Sequence, residues 1–190
     1  LLGGARTSAD VQLQVLHNER RSAENRARRF SPTSQSVRPV RIAFLTTGAT
    51  ASASEINVNS MAPWVEVAIV GENTLGKPVG QLAFDLRDCD DRLRIVTFRT
   101  INALSQGDYY DGLAGTLRYA CAATDTLDRP LGDAAEGLTA AALEWLGTGA
   151  CASLISQSPA RSKPSGAPAA GRPPLPRQPS PAQLWMPGVE

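Results

Sequence analysis

Two short apolar runs rich in β-branched residues, Val40–Leu45 (VRIAFL) and Val65–Val70 (VEVAIV), do most to limit what this chain can become. Each has the length and make-up of a buried strand. Between them lies a turn of small residues, TTGATASASE, and then INVNSMA, where a helix begins that Pro63 closes. Strand, turn, helix and strand in that order predict an α/β domain, with helices laid against a sheet. Downstream, Leu82, Phe84 and Leu86 alternate with Gln81, Ala83 and Asp85, so Val79–Leu86 reads as a half-buried strand. Arg92–Arg99 (RLRIVTFR) is a fourth candidate strand. Periodicity does not decide the order of the strands.

Helices are expected on either side of this core. Residues 10–30 combine Val11, Leu13 and Leu16 with an Arg- and Glu-rich run, and read as a helix with a solvated charged face that Pro32 breaks. LGDAAEGLTAAALEWLG reads as another, with Asp133 at the N-cap and Glu136 three residues on, as in a capping box. Leu138, Ala141, Ala142 and Trp145 follow at helical spacing, Gly147 and Gly149 end it, and Trp145 is expected in the core. Near residue 153 the composition changes: nine of the 14 prolines lie between Pro159 and Pro187. Such a stretch buries too little apolar surface to offset chain entropy. The expected division is a domain over 1–152 and an extended or disordered Pro-rich tail over 153–190, in which only Leu184 and Trp185 suit docking.

Composition removes several function classes. With 19 basic and 18 acidic side chains the chain lacks the strong positive charge of a dedicated nucleic-acid binder. No stretch approaches the ~20 apolar residues of a transmembrane helix. The chain starts at Leu1 with no basic-then-apolar leader after it, and is expected to be a soluble piece of something longer. Cys89, Cys121 and Cys151 have neither C-x-x-C spacing nor a nearby histidine, so no metal site is expected. Only two of the 19 basic residues, Lys77 and Lys163, are lysines. That matters because lysine, unlike arginine, gives up its proton at reachable cost.

Lys77 lies in Gly71–Pro78 (GENTLGKP), one residue short of a phosphate-binding loop. Pro78 stands where that loop needs Ser or Thr, and a strand pattern follows where a helix should open, so nucleotide binding is rejected. Ser52 sits where a strand gives way to a helix, a place where backbone N–H groups are unpaired. A serine hydroxyl is a weak nucleophile and needs a base. His17, the only histidine, lies in a polar stretch with no evident Asp partner, which disfavours a Ser-His-Asp triad. Lysine is the other base available, provided burial disfavours its charged form.

RIAFLTTGATASASEINVNSMAPWVEVAIVGENTLGKPVGQ resembles the core of the C-terminal processing (tail-specific) serine peptidases. That family carries A-S-A-S-E after a strand and then G-E-x-T-x-G-K-x-x-x-Q. Its nucleophile is the first serine of A-S-A-S-E, and its lysine follows 25 residues later, the separation of Ser52 and Lys77 here. Several members support the lysine with a glutamine four residues on, which here is Gln81. LHNERRSAENRARRF, GDYYDGL and LGDAAEGLTAAALEWL extend the resemblance weakly over roughly residues 10–150.

The resemblance implies a crotonase- or Clp-protease-like core, a sheet flanked by helices, incomplete at its N-terminus. It implies a serine endopeptidase that needs no cofactor and cleaves exported polypeptides, in the periplasm or outside the cell, anchored through lipid by a preceding segment. Ser52 would attack the scissile carbonyl, Lys77 would take its proton, Gln81 would orient the lysine, and the Ala53 N–H would stabilise the oxyanion. A straight strand would set residues 77 and 81 about 13 Å apart at ~3.3 Å per residue, so Pro78–Gly80 is expected to turn. Two family features are not in the chain: a D-L-R-x-N-G-G-G segment, one glycine of which supplies the second oxyanion donor, and a PDZ module. The alternative reading is a truncated, non-catalytic fragment that binds peptides or its missing half. Thr50, Ser52 and Ser54 also suit helix N-caps, and Glu55 is expected as a first-turn acid favoured by the helix dipole. In an exported protein a disulfide is favoured, and Cys121 and Cys151, which bracket the last helix, are one pairing that the sequence leaves open; Cys89 would then be left for a partner upstream.

Overall fold

The computed structural model describes residues 6–86, 91–126, 128–130 and 132–154. Cys89 and the tail with Leu184 and Trp185 lie outside the described residues. The chain divides into Leu1–Ser158 and Pro159–Glu190, and the described residues all belong to the first unit. In order, the elements are β1 (Val11–His17), a 3-10 turn (Glu19–Glu24), β2 (Arg26–Arg29), β3 (Arg41–Thr46), α1 (Ala53–Met61), β4 (Glu66–Gly71), β5 (Val79–Leu86), β6 (Asp91–Asn102), β7 (Tyr119–Ala122) and α2 (Gly137–Thr148).

The run VEVAIV is apolar without interruption because both of its faces are covered. β4 is the centre of a three-stranded parallel sheet, β3-β4-β7. Side chains on a strand alternate between faces. Val67 and Ile69 pack with Val58 and Met61 of α1, and Ala68 and Val70 pack with Ala142 and Trp145 of α2. Ile42 and Phe44 of β3 follow the first side, and Ala43 the second. The result is a helix–sheet–helix sandwich, as the strand–turn–helix–strand order predicts.

The stretch read as a helix over 10–30 is instead a hairpin. β1 pairs antiparallel with both β2 and β6 in a second, four-stranded sheet ordered β2-β1-β6-β5. Val11, Leu13 and Val15 alternate, but the Glu and Arg residues after them also fit helical spacing, and only the distant partner β6 settles the choice. The tip is tied by Asn25, whose Oδ1 accepts the His17 N–H at 2.7 Å. The arginines of β2 are exposed, so a solvated charged face is present, on a strand. A second correction concerns β5. Leu82 and Phe84 are 40% and 39% exposed rather than buried, because among the described residues β5 is an edge strand and the outer half of β6 has no other neighbour in the sheet.

α2 begins three residues later than its capping-box pattern suggests. Glu136, not Asp133, is the N-cap: its carboxylate accepts the N–H groups of Leu138 (2.9 Å) and Thr139 (2.8 Å). Asp133 instead stabilises the preceding turn through the Ala135 N–H. Gly147 lies inside the helix, and Gly149, in the left-handed region, ends it. The Leu138 N–H foremost, then those of Thr139 and Thr126, hold the Glu136 carboxyl down at about 2, against the opposing effect of burial. A pKa lowered on folding contributes stability above the ordinary value of 4.5, and that contribution fades as pH falls toward 2. Melting curves of wild type and Glu136→Gln should therefore differ at neutral pH and converge on acidification. A gap unchanged by acid would remove the carboxylate from the cap.

Trp145 is fully buried against Tyr119, and the end of α2 is fastened twice. Arg41 donates to the Leu146 carbonyl at 3.1 Å, and Cys151 is joined to Cys121 of β7 by a disulfide, which decides a pairing that the sequence leaves open. The bridge closes a loop of 30 residues, which on chain-entropy grounds stabilises by about 3.6 kcal/mol. Reduction is expected to lower the melting temperature by roughly 7–14 °C for a domain of this size. A Cys121→Ala/Cys151→Ala variant melting with the oxidised wild type would contradict this.

Candidate active site

β3 and β4 run parallel and end side by side, so the loops that leave their C-terminal ends are neighbours. One carries Ser52 into α1; the other carries Lys77 toward β5. Hydrogen bonds stitch the two together along their length. Thr46 Oγ1 donates to the Glu72 carbonyl (2.7 Å), the Gly48 N–H donates to Glu72 Oε2 (2.7 Å), and the Leu75 N–H donates to the Thr50 carbonyl (2.9 Å).

The closing stitch is Glu55. This side chain is fully buried in the first turn of α1, and its carboxylate collects three backbone N–H groups. Oε2 accepts from Ser52 (2.9 Å) and from Lys77 (2.8 Å), and Oε1 accepts from Gly76 (2.7 Å). The backbone nitrogens of Ser52 and Lys77 thus converge on a single oxygen atom. Glu55 does sit in the first turn, as expected, but its role reaches well beyond the helix dipole. The bond back to Ser52 is the carboxylate half of a capping box, which the spacing Ser52-x-x-Glu55 signals in the sequence. Its reach to Gly76 and Lys77 has no local signature.

Ser52 is the N-cap of α1, with φ 54° and ψ −114°. Among the described residues only Ser105 shares a positive φ without being glycine. Such a conformation costs about 1–3 kcal/mol and persists where surrounding contacts enforce it. Ala53, the first residue of α1, is exposed, as is Ser54. The N–H groups of the first helical turn have no partner within the helix, and the Ala53 N–H is among them. Lys77 is half-buried. Gln81 lies exposed on β5, directly after a break in register with β6 between Gly80 and Gln81. The turn expected over Pro78–Gly80 is not formed: the strand β5 already begins at Val79, and the break in register is the only irregularity there. It is accompanied by the ring of Phe98, which lies so close to Gly80 that a Cβ there would meet it at 2.0 Å.

Beneath the lysine loop is a buried polar floor. Thr100 donates its N–H (2.9 Å) and its hydroxyl (3.3 Å) to the Pro78 carbonyl. Burial pushes the Tyr109 phenol up to about 12, with the Thr100 side chain pulling the other way and the Glu55 charge adding to the rise. Tyr109 therefore stays neutral in the working range. His17, set aside as a base, lies in the other sheet with Nε2 3.9 Å from Glu24, against Phe98. Among the described residues no group of His, Cys, Asp or Glu is placed to hold a metal, and no helix is long and apolar enough to cross a membrane.

The sequence profile of peptidase family S41 matches residues 4–111, more than half of the chain and the whole stretch from Ser52 to Gln81. The chain belongs to peptidase family S41. Family membership makes it part of a serine peptidase lineage. Among solved structures it is similar to an S41 protease from Bacteroides fragilis, with a TM-score of 0.65 and 23% identity, over 77% of this chain. At that identity the likeness concerns the fold. The S41 chain spans 39% of the length of that relative. No curated protein matches it.

Proposed function

We propose that this S41 chain carries the nucleophile and base of a serine endopeptidase that cleaves exported polypeptides through a Ser52–Lys77 dyad. One observation supports this above the others: a single buried carboxylate, Glu55, fixes the backbone of both residues at once. Ser52 Oγ attacks the scissile carbonyl while Lys77 Nζ takes its proton. The resulting oxyanion is met by the Ala53 N–H, a kind of contact worth roughly 3 kcal/mol per donor. Lys77 then passes the proton to the leaving amine, and water, activated by the same lysine, releases the acyl group from Ser52. Gln81, carried on the strand beyond the bulge, orients the lysine between these steps; bulges commonly re-aim side chains beside active sites.

The protein to which the dyad belongs is read as longer than this chain. β3 forms the edge of its sheet, and Val40 and Leu45 are exposed beside it, so a neighbouring strand from an upstream segment has a place to pair. That segment would bring the second oxyanion donor, and a PDZ module to guide the substrate. The disulfide fits a periplasmic or secreted location, where thiols are oxidised. The rival reading, a non-catalytic fragment, differs in one measurable respect. A fluorophosphonate probe should label Ser52 of a chain extended at its N-terminus, and label the present chain about 10²–10³ more slowly for want of one donor. An extended chain that never labels would favour the fragment.

A further inference from the structure

The lysine loop is held on a second side that owes nothing to the nucleophile turn. Its residues 73–76 rest on the turn Tyr109–Ala114. Asn73 Nδ2 donates to the Asp111 carbonyl (2.8 Å), and its Oδ1 accepts the N–H groups of Thr74 (2.9 Å) and Ala114 (2.9 Å). Thr74, itself buried, accepts the Leu113 N–H at its Oγ1 (2.9 Å). Both chains approach through glycine. A Cβ on Gly76, at φ +89°, would stand 2.2 Å from the Tyr110 carbonyl oxygen, and one on Gly112, at φ +90°, 2.4 Å from both Asn73 Oδ1 and the Thr74 carbonyl oxygen.

We infer that Asn73 and Thr74 are positioning residues for Lys77: by locking residues 73–76 onto the 109–114 turn they fix where the lysine side chain begins and which way it leaves the backbone. Downstream the Pro78 carbonyl is pinned by Thr100, and at Lys77 the N–H is pinned by Glu55. The lysine is therefore bracketed by fixed peptide groups, and the Asn73–Thr74 lock is the bracket on its upstream side. Asn73 uses its donor and acceptor ends on different segments, so neither an apolar residue nor a carboxylate replaces it. The catalytic meaning of this lock rests on the dyad reading; the geometric part does not.

The two parts are tested by separate readouts on the full 190-residue chain. The chain has only two lysines, so brief acylation with acetic anhydride, read by peptide mass spectrometry, gives the reactivity of Lys77 with Lys163 as internal reference. Asn73→Asp and Thr74→Val are expected to change that ratio at least about threefold and to slow fluorophosphonate labelling of Ser52 by about 10- to 100-fold, the scale of an ångström-sized misplacement. Thr74→Ser, which keeps the hydroxyl, should restore both. Gly112→Ala should behave like Asn73→Asp, whereas Gly115→Ala, whose Cβ meets nothing within 4 Å, should match wild type. An unchanged Lys77 ratio in Asn73→Asp and Thr74→Val overturns the inference. A changed ratio with a Lys77→Ala chain that labels like wild type, or with an N-terminally extended wild type that does not label, sinks the dyad and leaves the positioning intact. Should Asn73→Asp fail to fold by circular dichroism, the Thr74→Val and Thr74→Ser pair decides the matter.

Discussion

Replacing Ser52 with alanine is expected to lower peptide hydrolysis by the extended, active form by about 10⁴-fold or more, and Lys77→Ala should do the same. On the dyad reading neither group works alone. Without Lys77 the Ser52 hydroxyl keeps its proton, and without Ser52 the lysine has no nucleophile to activate. Groups that act as one unit lose most of their effect with the first deletion, so the double variant should be no slower than either single one. What survives should be the modest rate that binding and the oxyanion donors supply. Lys77→Arg should not rescue, since an arginine at the same place stays protonated. The measurement is kcat/KM on an unfolded polypeptide substrate with folding checked by circular dichroism. Full activity in either single variant would dismiss the dyad.

Glu55→Ala is expected to be nearly as damaging, and to damage stability as well. It leaves the N–H groups of Ser52, Gly76 and Lys77 without their acceptor in a buried site. Three hydrogen bonds to a charged group are together worth about 4.5–9 kcal/mol; relief of the cost of burying the carboxylate returns part of this, so a net loss of about 3–5 kcal/mol is expected. In a domain of this size that corresponds to a melting temperature lower by roughly 10 °C. Below that melting temperature the surviving fold should label poorly at Ser52, because the strained φ of Ser52 and the Lys77 backbone share this support. Glu55→Gln keeps the volume and one acceptor oxygen, and should fall between wild type and Glu55→Ala on both scales. A Glu55→Ala protein that melts and labels as wild type would show that the carboxylate merely fills space.

The sheet–helix sandwich could be read from the chain because its cues are local. VRIAFL and VEVAIV are apolar throughout, as strands covered on both faces must be, and Pro63 stands where the intervening helix has to stop. The strand Val79–Leu86 was equally legible, yet its environment was not: alternation says that one face of Leu82 and Phe84 is apolar, not that anything lies over it. Residues 10–30 misled for a related reason. Glu19, Arg21 and Glu24 fit helical spacing, while the pairing of Leu13 with Asn102 and His17 with Phe98 joins segments far apart in the sequence. At the α2 start two acids competed for one cap, and the winner was the one whose carboxylate also reaches Thr126.

Taken alone, the sequence determined which residues are the candidates for chemistry: a serine at a strand-to-helix turn and one of only two lysines, 25 residues on. Residue type and spacing are written in the chain and need no fold to be seen. How those residues are held was decided only by the tertiary structure. Glu55 binds Lys77 across an interval of 22 residues, and Asn73 binds Ala114 across 41. Neither bond leaves a periodic trace, because it forms between loops whose adjacency exists only once β3 and β4 lie parallel. A buried carboxylate and a doubly bonded amide look in sequence like any other polar residues. Packing alone removes water from around Glu55 and makes its hydrogen bonds decisive.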